Sequence, residues 1–308
     1  MAQLRLSANY TQANHVTLRT GKCLSFLKSL PSDSARLVVT SPPYNIKKSY
    51  ERRRQTLDEY KKSQRDVVAE CLRILMPGGS LCWQVGQHIN GHGQIIPLDM
   101  LLHEVFWSFH VSHELRLRNR MIWHFEHGLH CLRRFSGRYE VILWYTKGDD
   151  YYFNVDEMRV PQKYPGKKAY RGPKKGKPSG NPLGKNPGDV WAFPNVKGNH
   201  VEKTIHPCQF PIELAERLIV SLSKPNDLVV DPYAGVGSTL VAAVLNNRRS
   251  AGVDTVREYV DEARCRIRAA HLGDLRYRPR TRPVYQPKDR TPLTTPPPGF
   301  ARWPEEVD

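Results

Sequence analysis

"LVVDPYAGVGSTLVAAVLN", residues 228 to 246, changes character twice. Leu228-Val229-Val230 is short, apolar and mostly β-branched, the mark of a buried strand. The chain from Asp231 to Gly237 cannot extend that strand, because proline lacks an amide donor and glycine has no side chain to pack. Thr239 to Asn246 then reads as a buried helix. A second strand follows at Ser250 to Val253, ending on Asp254. Strand, glycine turn, helix, strand and acid make one half of an α/β fold that binds a nucleoside. Gly235 and Gly237 permit a tight turn and close approach of a ligand to the backbone. An acid at the end of the second strand is placed to accept both hydroxyls of a ribose.

Two nucleotide classes are excluded. The Gly-Lys-Ser/Thr of a phosphate-binding loop is absent, and Leu240 stands where a dinucleotide fingerprint has its third glycine. A nucleoside cofactor without a pyrophosphate is the economical inference, and S-adenosylmethionine is the common one.

A second stretch, "VVTSPPYNI" (residues 38 to 46), repeats the abrupt stop. Arg36 to Thr40 reads as a strand, and Ser41-Pro42-Pro43-Tyr44 stiffens the backbone where it leaves the sheet. In an open α/β sheet, ligands sit at that edge. Taken alone, an ordinary proline turn would explain it.

Between and around these stretches, strands and helices alternate. Leu57 to Leu75 is a helix with Val68, Cys71, Leu72 and Leu75 on one face. Pro77-Gly78-Gly79 ends it, and Ser80 to Val85 is the next strand. Leu98 to Phe109 reads as a helix, Arg120 to Phe125 and Glu140 to Thr146 as strands, and Pro211 to Ser223 and Arg257 to Ala270 as helices. Beyond Arg278 the chain is a proline-rich tail expected to be mobile.

The 308 residues carry 47 Lys and Arg against 30 Asp and Glu, a formal net charge of +17, which points to a polyanionic partner. No run approaches the ~18 apolar residues of a membrane span, so a membrane is not expected as a partner. The polar start, Met1 to Asn14, is not a secretory signal. Six scattered cysteines without a Cys-x-x-Cys read as reduced core thiols of a cytosolic protein. His124, His127, His130 and Cys131 have poor spacing for zinc and no second ligand cluster, so no metal is expected. From Arg159 to Gly188, nine cations occur without one acid. Lys163, Lys167, Lys168, Arg171, Lys174, Lys175, Lys177 and Lys185, interleaved with Tyr164 and Tyr170, suit a nucleic-acid surface on a long loop or small irregular subdomain. The plainer alternative is a solvated insertion.

Ser-Pro-Pro-Tyr after a strand, and Asp-Pro-Tyr-x-Gly-x-Gly-Ser-Thr before a helix, resemble the two signature motifs of the amino-methylating DNA methyltransferases. The catalytic motif precedes the cofactor motif, as in the permuted β class. Leu75 to Leu81, Arg138-Tyr139-Glu140, His206-Pro207 with Gln209, and Gly252-Val253-Asp254 resemble further motifs in the family's order, over about Gly21 to Ala270. Lys22 and Phe210 depart from it, standing where an acid and a lysine are common.

The resemblance implies a Rossmann-like S-adenosylmethionine-dependent methyltransferase sheet, permuted, with an inserted basic target-recognition region. Residues 15–146 would be the catalytic half, 147–205 the target-recognition insertion, 206–275 the cofactor half and 276–308 the tail. It implies transfer of a methyl group to the exocyclic amino group of a flipped base in double-stranded DNA. Cytosine N4 is favoured over adenine N6 because serine, not aspartate, opens the catalytic motif. Ser41, Pro42, Pro43 and Tyr44 would be catalytic. Asp231, Pro232, Tyr233, Gly235, Gly237, Ser238, Thr239, Asp254, His206 and Pro207 would hold the cofactor.

An exocyclic amino lone pair is conjugated into its ring and nucleophilically poor. Tyr44 would stack on the flipped base, while the Ser41 hydroxyl and Pro42 carbonyl accept its N–H groups and stabilise the charge that develops during attack. A cognate restriction endonuclease, a homodimer and a bacterial or phage cytoplasm, close to the nucleoid, are further expectations from the family. The competing readings are an RNA or protein-side-chain methyltransferase and a non-catalytic DNA-binding protein on the same scaffold. Every enzymatic reading requires that residues 41–44 and 231–239 meet in one cavity.

Overall fold

The computed structural model describes residues 3–46, 48, 51, 55–90, 93–125, 127–128, 130–285 and 295. Its elements run β1 (Leu6–Ser7), β2 (Val16–Thr20), α1 (Cys23–Lys28), β3 (Ala35–Thr40), α2 (Leu57–Ile74), β4 (Leu75–Val85), β5 (Gln87–Ile89), β6 (Ile95–Pro97), α3 (Leu98–Trp107), β7 (Leu115–His124) and β8 (Tyr139–Lys147). After a long irregular segment come β9 (Val190–Ala192), α4 (Ile212–Leu222), β10 (Leu228–Asp231), α5 (Ser238–Leu245), β11 (Arg249–Asp254) and α6 (Arg257–Leu272).

Nine strands form one sheet in the order β1-β2-β11-β10-β3-β4-β8-β7-β9. The run from β1 to β4 is parallel, whereas β8 is antiparallel to both β4 and β7. Both faces are covered, which is why β3 and β10 read as unbroken apolar runs rather than alternating ones. Val38 and Val230 face a core with Phe26 of α1, Leu72 of α2 and Phe106 of α3. Leu37, Val39 and Val229 face the opposite core, with Leu218 of α4, Leu240 of α5 and Ile267 of α6.

This division of helices fixes the site. The chain leaves β3 toward α2 on one face and leaves β10 toward α5 on the other, although the two strands are neighbours. The connections therefore diverge and open a crevice beyond the carboxyl ends of β3 and β10, the switch point where ligands bind in such sheets. The antiparallel strand contributes as well. Val141 pairs with Val85 at the end of β4, so β8 enters the sheet at the edge where the parallel strands leave it.

Several boundaries differ from the sequence expectations, two of them by more than a residue or two. The helix α2 stops at Ile74, and Pro77-Gly78-Gly79 is an irregularity inside β4 rather than a turn before it: the pairing moves from Ala35–Leu75 to Leu37–Ser80. β7 starts five residues early, at Leu115. Arg116, Arg118 and Arg120 conceal its apolar period, but Arg118 bonds the Thr146 hydroxyl at 2.8 Å, Arg120 bonds Asp99 at 2.6 Å, and the strand keeps its pairing with β8. The N-terminus of α2 is fixed by a capping box, Thr56 Oγ1 accepting from the Glu59 amide and Glu59 accepting from the Thr56 amide.

The chain is still anchored to the core at Arg278, just ahead of the proline-rich stretch. Arg278 is buried, its guanidinium pairs with Glu213 on α4 and its amide donates to Glu202 at 3.1 Å. Residues 286–294 and 296–308 lie outside the described residues. The cysteines are all free, but only Cys71 and Cys82 are buried; Cys208 and Cys265 are exposed, which corrects the reading of all six as core thiols. Among the described residues no helix is long and apolar enough to cross a membrane.

Candidate active site

The strand ends are tied before any ligand is considered. Thr40 Oγ1, at the last position of β3, donates to Asp231 Oδ1, at the last position of β10, over 2.6 Å. The same Asp231 oxygen accepts the Tyr233 amide at 3.1 Å and so sets the first bend of the glycine turn. Burial pushes the Asp231 carboxyl up to about 6, against the opposing pull of the Thr40 and Thr239 hydroxyls and the Tyr233 amide.

Beyond these ends lies a cavity of about 560 Å³. One wall is the loop after β3, carrying Ser41 to Tyr44; the other is the glycine turn with Pro232, Tyr233, Gly235 and Ser238, together with Asp254 at the end of β11. His206 and Pro207 close it from before α4. Two segments separated by about 190 positions therefore share one cavity, as the enzymatic reading requires. Asp231, Gly237 and Thr239 stand behind the wall: the first ties the strands, the other two turn the chain into α5.

The cofactor-side wall is preorganised. Asp254 Oδ2 accepts the Gly235 amide and Oδ1 the Val256 amide, both at 2.9 Å, which hold the carboxylate in place and leave lone pairs toward the cavity. Burial raises the Asp254 carboxyl above its ordinary value. Gly235 has φ +50°, and a Cβ there would stand 3.4 Å from His206 Nε2, so the turn takes a bare backbone. The His206 ring packs edge-on to Tyr259 of α6 at 4.7 Å. Burial, then the positive charges of Lys203 and Arg266, lowers its pKa to about 4, so this side of the cavity carries a neutral imidazole at neutral pH. A cavity of this size, with a bare turn and an anchored carboxylate at its second strand, fits a nucleoside.

The wall after β3 is held as firmly. The Pro43 carbonyl accepts from Tyr60 Oη on α2 at 2.9 Å. Asn45, at φ +58°, clamps Gln55 through two 2.8 Å bonds. The Tyr44 hydroxyl lies 3.0 Å from both Ser41 Oγ and Glu140 Oε2. Gln84, on β4, donates to the same Glu140 oxygen at 2.7 Å. Burial raises the Glu140 carboxyl, while the Gln84 and Tyr44 donors and the charge of Lys197 act the other way.

Glu140, Gln84, Trp123 and the stretch Asn195-Val196-Lys197 line the cavity but were not among the sequence candidates for the site. Only Glu140 left a signal, as the acid that opens an apolar strand. The eight cations from Lys163 to Lys185 lie outside the cavity, all exposed, on a segment with the irregular bridges Val160–Lys185, Lys168–Pro178 and Ala169–Lys175.

Known proteins are similar to this chain over most of its length. The N6/N4 DNA methylase family model matches residues 35–264. The type II methyltransferase M.BglII from Bacillus subtilis is 49% identical over 243 residues, which cover 79% of this chain and 66% of that protein. M.ScaI from Streptomyces caespitosus is 36% identical over 271 residues, covering 86% and 85%. Among solved structures, TTHA0409 from Thermus thermophilus, in complex with S-adenosyl-L-methionine, aligns at 26% identity with a TM-score of 0.58, over 88% of this chain and 96% of that one. The cytosine-N4-specific PvuII DNA methyltransferase shares the fold, with a TM-score of 0.64 at 19% identity, over 87% and 94%. With the family model spanning both walls of the cavity, and relatives this similar along most of its length, the chain belongs to the N6/N4 DNA methylase family.

Proposed function

We propose that this protein is a site-specific DNA methyltransferase that methylates the exocyclic amino group of a flipped base, cytosine N4 in preference to adenine N6. The observation that carries the reading is the single cavity between the Ser41–Tyr44 loop and the Gly235–Asp254 turn. Asp254 would hold the ribose hydroxyls of S-adenosylmethionine, and the backbone at Gly235 would pack against the nucleoside. When bound, the cofactor supplies a methyl group on a sulfonium whose sulfur leaves as a neutral thioether.

The protein's own residues would do the rest. Extrusion of the base costs a few kcal/mol, and Tyr44 offers an aromatic face to the extruded ring. Ser41 Oγ and the Pro42 carbonyl accept the amino N–H groups and draw the nitrogen lone pair out of conjugation. These acceptors gain strength as positive charge grows on nitrogen, so they stabilise the transition state more than the ground state. The nitrogen forms one bond to carbon as the carbon–sulfur bond breaks, and its surplus proton passes to solvent. Alignment of the two atoms supplies much of the rate.

The preference for cytosine rests on Ser41. A hydroxyl is a weaker acceptor than the carboxylate found at this position in many adenine enzymes. The segment 147–205 is the target-recognition region in this reading. Its exposed cations would neutralise phosphates, and Asn195 to Lys197 within it line the cavity. A cognate restriction endonuclease would accompany the activity, and a homodimer is the expected assembly. Incubation of unmethylated DNA with the protein and S-adenosylmethionine, digestion to nucleosides and mass spectrometry test the reading. N4-methylcytosine is expected; N6-methyladenine would move the assignment to the other base, and transfer to RNA alone would overturn it.

A further inference from the structure

Ser41, Tyr44 and Glu140 form a chain of hydrogen bonds beside the cavity. Glu140 Oε2 accepts from Gln84 Nε2 at 2.7 Å and from the Tyr44 hydroxyl at 3.0 Å. A phenol has a single proton, and here Tyr44 donates it in a hydrogen bond to the Glu140 carboxylate. The Tyr44 oxygen can then only accept, so the Ser41 hydroxyl, 3.0 Å away, must be the donor to it. With its own proton turned inward, Ser41 presents lone pairs alone to the cavity.

We propose that Glu140 is a positioning residue that acts through Tyr44 to lock Ser41 as a pure hydrogen-bond acceptor, selecting bases that offer an amino group over those that offer a keto oxygen. This rests on the methyltransferase reading above and deepens it. An amino group donates N–H to Ser41 and is held for attack. A keto oxygen at the same place meets lone pair against lone pair, and no rotation of the hydroxyl relieves it while Tyr44 donates to the Glu140 carboxylate. Cytosine and adenine thus fit, whereas thymine and guanine present the wrong pole at the corresponding position.

Two features hold the chain in this sense. Gln84 is buried in β4 beside the first residues of β8, and its amide hydrogens need the Glu140 oxygen. Gly86, two residues further on, leaves the space the relay occupies: a Cβ there would stand 3.0 Å from Tyr44 Cε2 and 3.4 Å from Glu140 Oε1. Tyr44 and Gln84 face Glu140 directly, and Lys197 acts on it through its charge. Protonation of Glu140 would let it donate to Tyr44, reverse the chain and turn the Ser41 proton outward. Because burial raises the Glu140 carboxyl, that reversal begins at a higher pH than for an ordinary glutamate.

The test compares the wild-type enzyme with Tyr44→Phe and Glu140→Gln, using DNA that the wild type methylates. Tyr44→Phe keeps the ring and removes the hydroxyl that links Ser41 to Glu140; kcat should fall about tenfold, with KM for DNA within about twofold. The wild type should lose kcat as pH falls through the Glu140 pKa, and in Glu140→Gln that acidic limb should vanish as kcat drops. An unchanged kcat in Tyr44→Phe, or an acidic limb that persists in Glu140→Gln, overturns the proposal. So does a loss of cofactor affinity equal to the loss of kcat, measured by calorimetry, because it would mean a collapsed site. If the wild type methylates no DNA, the parent reading has failed; if it does and the variants behave like it, only the relay has.

Discussion

Thr40 and Asp231, 191 positions apart in the chain, are joined by a 2.6 Å hydrogen bond across the divide where the two sets of helices part. That bond couples the loop carrying Ser41 to the turn carrying Gly235, and it lies wholly inside the protein. Thr40→Val keeps the shape and leaves a buried carboxyl short of a donor. The expected cost is about 1–3 kcal/mol in urea unfolding, with weaker cofactor binding because the turn loses its register.

Asp231 also makes a prediction about pH. Its carboxyl moves from an ordinary 3.8 to about 6 in the fold. A carboxyl raised by folding contributes stability that is complete below its unfolded pKa and is lost as pH rises through its folded pKa. Asp231→Asn cannot titrate. The stability of the variant minus that of the wild type should therefore climb between about pH 4 and pH 7, by roughly 2 kcal/mol. A flat difference across that range would show that Asp231 does not titrate in the window.

Gly237 begins α5 at φ +79°, and a Cβ there would sit 2.9 Å from the Cβ of Ala263 on α6. Neither atom can rotate away, because both are fixed to backbone. Gly237→Ala should cost about 1–3 kcal/mol of folding stability and displace the turn that lines the cavity. Thermal unfolding and cofactor titration read the two effects separately.

The two walls should fail differently. Tyr44→Ala should keep S-adenosylmethionine binding by calorimetry and lose methyl transfer, because Tyr44 lies on the wall opposite the glycine turn. Asp254→Ala should weaken cofactor binding about 10- to 100-fold, because the carboxylate that orders the turn, and that would receive the ribose in the proposed function, is gone. Unchanged transfer in Tyr44→Ala would remove that residue from the mechanism.

Lys174, Lys175 and Lys177 are exposed on the irregular segment and lie well apart in sequence from both walls of the cavity. Replacing all three by glutamine should weaken binding to DNA of any sequence. The slope of log K against log salt should become shallower, by up to about 0.9 for each phosphate that the variant no longer neutralises. A filter-binding series at several salt concentrations measures this, and an unaltered slope would assign the run to a solvated surface.

Sequence alone determined the parts of this protein whose cause is local. The strand before Ser41, the stop imposed by Pro42 and Pro43, the glycine turn after Asp231 and the acid after Val253 each follow from what a few neighbouring residues allow the backbone to do. Their order along the chain was enough to expect a permuted methyltransferase sheet. Where a local pattern was masked, reading it misplaced the edge: the arginines of β7 hid half a strand, and the glycines in β4 looked like a turn because a bulge uses the same residues.

Only the tertiary structure decided which residues meet. That Glu140 accepts the Tyr44 hydrogen bond depends on β8 entering the sheet antiparallel to β4, and that Thr40 reaches Asp231 depends on β3 and β10 being neighbours. Register and strand order arise from the summed packing of two cores, to which no short stretch of chain contributes enough to be read by itself.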